Sequence, residues 1–177
     1  MLKLKRIFEQ NNDSCFENLN NILCYHRGSV LDPDQIFSSS VHNNHGTGFY
    51  LYVLDKDNDS TMLEPRHKDF NISYYIINNG KFLKDNKDGF DLVKSMGLYP
   101  VTNPQYKFKR RQSVFYNMFL YVYEHSGEFF IKLDVLEFFK DLSIKLKNSG
   151  IDGVCFNQGS QKCITVFNAQ VLKPYIE

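Results

Sequence analysis

Residues 22–29 read Ile-Leu-Cys-Tyr-His-Arg-Gly-Ser, and residues 46–54 read Gly-Thr-Gly-Phe-Tyr-Leu-Tyr-Val-Leu. Each stretch joins a short apolar run to glycine and polar residues at one end. Short runs of β-branched and aromatic residues with such boundaries predict β-strands. The sequence therefore predicts strands over residues 22–25 and 49–54. The glycines beside them let a ligand approach the backbone closely.

The remaining predicted elements lie on both sides of a helical middle. Apolar runs and periodicity predict strands at 72–77, 153–156 and 163–167 and helices at 90–96, 114–122 and 133–148. A hairpin connection is predicted at 157–160, and an N-terminal arm or short polar helix within residues 1–20. Because strands precede and follow the helices without alternating with them, we predict an α+β fold in a single domain of 177 residues.

The composition excludes several classes of protein. Aromatic residues make up 15% of the chain, a content that disordered chains lack. The net charge of +1 does not show the basic excess typical of nucleic-acid binders. No apolar run approaches the roughly 20 residues that span a bilayer, and no secretory signal is recognisable at the N-terminus. We therefore predict no membrane partner and a cytoplasmic location, in the producing cell or in a target cell.

Common cofactor and metal motifs are absent from the sequence. It has no glycine-rich dinucleotide or triphosphate cradle, no His-Glu-x-x-His and no Cys-x-x-Cys. His42 and His45 are three residues apart, but no third ligand lies nearby in the sequence. The four cysteines have no ligand-like spacing, and reduced thiols are the expectation for a cytoplasmic chain. We predict no metal site.

One short segment is locally basic. Residues 106–111 read Tyr-Lys-Phe-Lys-Arg-Arg, within a segment (98–112) that prolines mark as a loop. Cations interleaved with aromatic residues are the composition of a phosphate-contacting patch. The leading interpretation is a solvated loop before a helix, and the alternative is a docking site for an anionic partner.

Three segments combine polar groups with apolar strands: 25–29, 46–51 and 150–154. Each taken singly also has a structural explanation. A histidine after a strand is often a satisfied structural residue, and Gly-Thr-Gly and Asp-Gly are common turns. The order of the three segments along the chain is more informative than any one of them.

In that order, the segments resemble the ADP-ribosyltransferase fold of the diphtheria-toxin and poly-ADP-ribose-polymerase type. This branch is named for its His-Tyr-Glu triad, and its small bacterial and phage members carry similar motifs. The matching segments here are YHRGS (25–29), GTGFYLY (46–52), SGIDGVCF (149–156) and CITVFNAQVLKP (163–174). The resemblance covers residues 22–54 and 133–174, whereas residues 55–132 carry little that is recognisable. It implies a split mixed β-sheet with helices between the two sheet halves.

The resemblance also implies a site for NAD+, which is a substrate in this family. His26 would hydrogen-bond the ribose on the nicotinamide side, and Tyr50 would pack against the nicotinamide ring. Gly28 would offer main-chain groups to the nicotinamide amide, and Gly48 would keep the wall thin enough for the ring to enter. The implied NAD-binding set is completed by Tyr25, Arg27 and Phe49.

The sequence departs from the family at the third member of the triad. Alignment of the last strand places Cys163 where the family has its glutamate, and Gln161 and Gln158 are the nearest polar alternatives. A neutral side chain can orient a ribose hydroxyl but supplies no charge to an oxocarbenium-like ribose. Three alternatives follow: weaker chemistry limited to the transfer of one ADP-ribose, an acid from elsewhere in the chain (candidates Glu64, Glu124 and Glu128), or a site that only binds.

A second branch of the family offers a different use of the first motif. The cholera-toxin branch carries an arginine in this strand, a role that Arg27 could take. That branch also has a Ser-Thr-Ser strand and a Glu-x-Glu turn. This chain has Gly-Thr-Gly-Phe-Tyr in place of the first and lacks the second. The resemblance therefore favours the His-Tyr branch.

Three functions remain open from the sequence. The first is a mono-ADP-ribosyltransferase that transfers ADP-ribose from NAD+ to a macromolecular target, most simply a protein, as a phage or bacterial effector. The second is a catalytically degenerate protein of the same fold that acts as a protein-binding module or inhibitor. The third is a nucleic-acid-directed protein that uses residues 107–111.

Overall fold

In the computed structural model, the described residues are 12–38, 44–54, 71–99, 106–123 and 134–176. They form eight strands: β1 Phe16–Leu19, β2 Ile22–Arg27, β3 Phe49–Val53, β4 Ile72–Ile77, β5 Gly80–Lys84, β6 Gly153–Gln158, β7 Gln161–Val166 and β8 Leu172–Pro174. They also form four helices: α1 Asn12–Cys15, α2 Lys87–Ser95, α3 Val114–Tyr123 and α4 Val135–Asn148. Two short 3-10 turns lie at Pro33–Gln35 and Ala169–Val171. The predicted α+β class is confirmed.

The strands form one mixed sheet in the order β1-β5-β6-β7-β3-β2-β4-β8. Within this sheet β5 and β6 run parallel, and the other neighbours are antiparallel. The β6–β7 hairpin was predicted, and it lies in the middle of the sheet. Three strands were not predicted: β5, β8 and β1, the last of which replaces the helix or arm expected over residues 16–19.

The two faces of the sheet bury different groups of side chains. Residues of α2, α3 and α4, among them Phe90, Phe115 and Leu142, pack on one face against Val154 and Phe167. The opposite face has its own core, in which the described residues come from strands and from the two 3-10 turns and their flanks. The long helices thus cover one face of a continuous sheet, whereas the sequence predicted helices between two sheet halves. The apolar stripe of each helix is buried by packing against the sheet.

The described part of the chain has no helix that is long and apolar enough to span a membrane.

Asp152 joins β6 to two neighbouring segments. Its Oδ2 atom accepts a hydrogen bond from the backbone N–H of Lys81 at 2.8 Å, and its Oδ1 atom accepts one from Asn168 Nδ2 at 2.8 Å. Its own N–H donates to the carbonyl of Lys81, and its carbonyl accepts from the N–H of Phe167. The Asp-Gly pair is therefore a connection between β5, β6 and the end of β7, and not the tight turn that the dipeptide suggests.

Substituting Asp152 with alanine is expected to lower the free energy of unfolding by about 3 kcal/mol or more, because two hydrogen bonds to a charged acceptor are lost and each contributes about 1.5–3 kcal/mol. Urea denaturation measures this change. Asp134→Ala is the matched control, since Asp134 accepts one N–H at the N-cap of α4 and should cost about 1 kcal/mol. A loss in Asp152→Ala no greater than in this control would contradict the role of Asp152.

Candidate functional site

The candidate site lies where β2 and β3 separate. The two strands pair only through Cys24–Val53 and Tyr25–Tyr52. Beyond Tyr25, β2 continues to pair with β4 as far as Arg27 but leaves β3. The side chain of His26 enters this gap, and its Nδ1 atom lies 3.0 Å from the carbonyl oxygen of Tyr50. The His26 side chain thus takes the place of the next backbone hydrogen bond between β2 and β3.

The contact with Tyr50 determines which nitrogen of His26 is protonated. A carbonyl oxygen only accepts hydrogen bonds, so Nδ1 carries a hydrogen; in the neutral form of the ring, Nε2 is then the acceptor. Gly28 lies beside that atom, where a Cβ would come within 3.2 Å of Nε2. The backbone N–H of Gly28 donates to the carbonyl of Asn71 at 2.8 Å. Gly28 therefore leaves Nε2 uncovered, while its own N–H is already paired.

The separated strands border a cavity of about 570 Å³. This volume is within the roughly 300–1,000 Å³ range of small-molecule sites. Its lining includes six residues from the predicted set: His26, Arg27, Gly48, Phe49, Tyr50 and Gln158. The lining also includes Ser29, Val30, Leu31, Asp32, Gln35, Ser38 and Tyr52. The first two motifs, which are 24 residues apart at His26 and Tyr50, therefore meet in one cleft.

Tyr50 links the two sides of the cleft. Its hydroxyl donates a hydrogen bond to Gln158 Oε1 at 2.9 Å, across β7 from β3 to the end of β6. Its ring meets Tyr52 edge-on at 5.1 Å and Phe156 at 5.6 Å between centroids. These contacts fix the tilt of the Tyr50 ring at the cleft wall.

Gln158 is the one candidate for the third position that lines the cleft. Gln161 does not line it, and its Nε2 atom donates to the carbonyl of Val53 at 2.8 Å. Cys163 is fully buried in the core on the helical face. The position aligned with the family glutamate, Cys163, therefore lies away from the cleft, and of its two polar alternatives Gln158 lines the cleft.

Three other predicted residues have structural contacts of their own. Tyr25 is fully buried and stacks on Tyr52 at 4.9 Å, beneath the cleft. Phe49 lines the cleft but belongs mainly to the core of the opposite face. Gly48 lies against β7, where a Cβ would come 2.2 Å from the carbonyl oxygen of Val166. The close packing of β3 against β7 therefore requires a glycine here, whatever the effect of this glycine on the cleft wall.

Arg27 and Asp32 are the charged residues among the described ones that line the cleft. Asp32 was not predicted as a site residue, because Asp-Pro reads as a turn. Its Oδ1 atom does accept the N–H of Asp34 at 3.0 Å, at the start of the 3-10 turn. In the sequence, only its position soon after the His26 motif could have indicated that Asp32 belongs to the site. The acids considered from the sequence, Glu64, Glu124 and Glu128, lie outside the described residues.

The cysteines and histidines of the described residues do not suggest other chemistry near this cleft. The four cysteines are free and buried. Burial raises the pKa of the Cys24 and Cys155 thiols to about 12, so neither is a thiolate nucleophile near neutral pH. No group of three potential metal ligands occurs among the described residues. His45 stacks on Phe156 and contacts Asp85 at 3.0 Å, while His42 lies outside the described residues.

Comparison of the chain with protein-family models, with curated proteins and with solved structures gave no match.

Proposed function

We propose that the chain is a mono-ADP-ribosyltransferase of the His-Tyr type, with an ADP-ribosyltransferase-like fold, that transfers ADP-ribose from NAD+ to a protein target. The observation that carries this proposal is the meeting of His26, Tyr50 and Gln158 around one cavity where β2 and β3 separate. His26 and Tyr50 belong to the motifs that resemble the family, and Gln158 lies between the last two of those motifs as a polar alternative for the missing glutamate. We further propose that the protein acts as a phage or bacterial effector in the cytoplasm of a producing or target cell.

The cleft residues fit the chemical parts of NAD+. The Tyr50 ring offers an apolar face for stacking of the nicotinamide. The uncovered Nε2 of His26 would accept a hydrogen bond from a ribose hydroxyl. Arg27 is the cation of the cleft and would pair with the diphosphate. The described lining thus offers an aromatic face, an imidazole and a cation, each for a different part of the ligand.

In the proposed reaction, the bond between the ribose C1 and the nicotinamide nitrogen breaks and a bond from C1 to the acceptor forms, as the acceptor loses a proton. Positive charge develops on the ribose after the first bond weakens and before the second is complete. Gln158 would orient a ribose hydroxyl after exchanging its bond with Tyr50. Asp32 would supply the negative charge that the buried Cys163 does not. The stabilising carboxylate would then come from the loop after β2 and not from β7.

A second candidate function is a binding module or inhibitor of the same fold. It is favoured by the burial of Cys163 and by the Tyr50–Gln158 hydrogen bond, which pairs the two cleft side chains with each other. In that case NAD+ would not bind, and a protein partner would be recognised elsewhere on the surface. NAD+ binding therefore separates the two candidates.

The test is the melting temperature with and without millimolar NAD+ for the wild type, Tyr50→Ala and Tyr123→Ala. A ligand at about 100 times its Kd adds about 2.7 kcal/mol of stability, which raises Tm by several degrees for a domain of this size. We expect this shift in the wild type and in Tyr123→Ala, a matched exposed tyrosine on α3. We expect no shift in Tyr50→Ala. An equal shift in all three proteins would contradict the site, and no shift in any would favour the binding module.

A further inference from the structure

We propose that the ordered basic loop of residues 106–112 is a docking surface for the phosphate backbone of a nucleic acid. This inference is independent of the NAD+ cleft. It starts from a one-sided distribution of charge in the sequence. No Asp or Glu occurs between Asp91 and Glu124, although that segment has five basic residues, four of them at 107 and 109–111. The balanced net charge of the whole chain therefore conceals a local positive excess.

The loop is held in place by a fully buried asparagine on α3. The Oδ1 atom of Asn117 accepts hydrogen bonds from the hydroxyl of Tyr106 and the N–H of Lys109, both at 2.8 Å. Its Nδ2 atom donates to the carbonyls of Lys109, Gln112 and Ser113 at 2.9–3.1 Å. Burial of an amide is favourable only when its polar atoms are paired in this way. The loop conformation is thus fixed before any partner binds, which lowers the entropic cost of docking.

The aromatic residues of the loop face the protein, and its cations face solvent. Tyr106 and Phe108 pack on Phe90 at 5.6 and 5.4 Å between ring centroids. Lys107, Lys109, Arg110 and Arg111 are exposed. Both rings are half-buried against Phe90, so the exposed part of the loop consists mainly of cationic side chains. Such a surface fits phosphate groups and not base edges.

The described surroundings leave most of this charge uncompensated. Among the described residues, no carboxylate forms a salt bridge with Lys107, Arg110 or Arg111. Asp85 and Asp88 share a neighbouring cavity with Arg110. Asp85 is already engaged by His45 and by the N–H of Val114. Three cations therefore remain to bind an external anion.

A nucleic acid fits the loop better than a membrane surface. Peripheral membrane segments combine basic residues with exposed apolar anchors. The large exposed apolar residues among the described ones are Val30, Tyr123, Tyr175 and Ile176, and none of them belongs to the loop. A surface of cations alone matches a chain of phosphates.

The test measures binding of a fluorescein-labelled, mixed-sequence single-stranded DNA by fluorescence anisotropy at several salt concentrations. The loop variant is Arg110→Ala with Arg111→Ala, and the control is Lys140→Ala with Lys173→Ala, which removes the same charge at exposed positions on α4 and β8. In the loop variant we expect Kd to rise about tenfold at low salt. The slope of log Kd against log salt should fall by about 1.4, for two lost phosphate contacts on a single strand.

The control variant should stay within about twofold of the wild type. Equal weakening in both variants would overturn the proposal, because it would show a response to net charge alone. Failure of the wild type to bind the DNA would also overturn it, as would binding to phosphatidylserine vesicles but not to DNA. All four substituted side chains are exposed, so unchanged thermal unfolding serves as the check that both variants fold.

Discussion

Substitution of Gly48 with alanine is expected to lower the free energy of unfolding by about 3 kcal/mol or more, because the added methyl group meets backbone that cannot move independently. The Cβ would lie 2.2 Å from the carbonyl oxygen of Val166 and 3.1 Å from Cδ1 of Phe167. Phe49 pairs with Val166 in the next position of the ladder, so relief of the clash requires β3 and β7 to separate. The same movement would distort the cleft wall.

Gly159→Ala is the matched control for this prediction. Gly159 has φ +64, and nothing lies within 4 Å of the position of a Cβ. Its substitution therefore tests backbone strain without a clash and should cost about 1 kcal/mol. The two variants are compared by their urea denaturation midpoints, provided that the dependence of the free energy of unfolding on urea concentration is the same in both. If Gly48→Ala is no more destabilised than Gly159→Ala, the close approach of β3 to β7 at this point is incorrect.

Substitution of His26 with alanine is expected to reduce nicotinamide release from NAD+ about 100-fold, on the proposal that the chain is a transferase. This is the usual size of effect when one preorganised hydrogen-bonding group is removed from a polar transition state. The imidazole has two separate contacts in the proposed reaction. Nδ1 bonds the carbonyl of Tyr50 at 3.0 Å, and Nε2 would bond the ribose.

Two further variants separate those contacts. The amide of His26→Asn can donate to the Tyr50 carbonyl as Nδ1 does, but it has no atom at the place of Nε2. We expect this variant to retain the wild-type Tm and to lose activity, whereas His26→Gln, which reaches towards the position of Nε2, should recover part of it. Labelled nicotinamide release provides the measurement. Full activity in His26→Asn would mean that His26 only positions Tyr50 and does not touch the substrate.

Elements with a strong local signal were predicted well from the sequence. Residues 72–77 form β4 with the predicted bounds, because Ile-Ser-Tyr-Tyr-Ile-Ile is rich in strand-forming residues. β1 (Phe-Glu-Asn-Leu) and β5 (Gly-Lys-Phe-Leu-Lys) lack such a signal. They are strands because they pair with each other, and β5 also pairs in parallel with β6, about 70 residues later in the chain. Partners that are distant in the sequence cannot be identified from a local pattern.

The candidate site was predictable in part for the same reason. The His26 and Tyr50 motifs were found locally, and the pairing of β2 with β3 brings them together. The choice among Gln158, Gln161 and Cys163 depends on the register of the β6–β7 hairpin against β3, which the sequence did not provide. Asp32 was missed because its local context indicates only a turn.

The central position of the β6–β7 hairpin has a consequence for how the chain folds. β5 and β3 lie on either side of this hairpin, so the two groups of strands formed earlier in the chain, β1–β5 and β3–β2–β4, stay separate until residues 153–166 have been synthesised. Until then, one edge of β5 and one edge of β3 present unpaired backbone groups, which favour association with other chains. Closure of the sheet also depends on contacts between residues far apart in the sequence, which slows folding. A nascent chain interrupted after α4 would therefore hold two incomplete sheets prone to aggregation, a hazard that chaperone binding to the emerging strands would reduce.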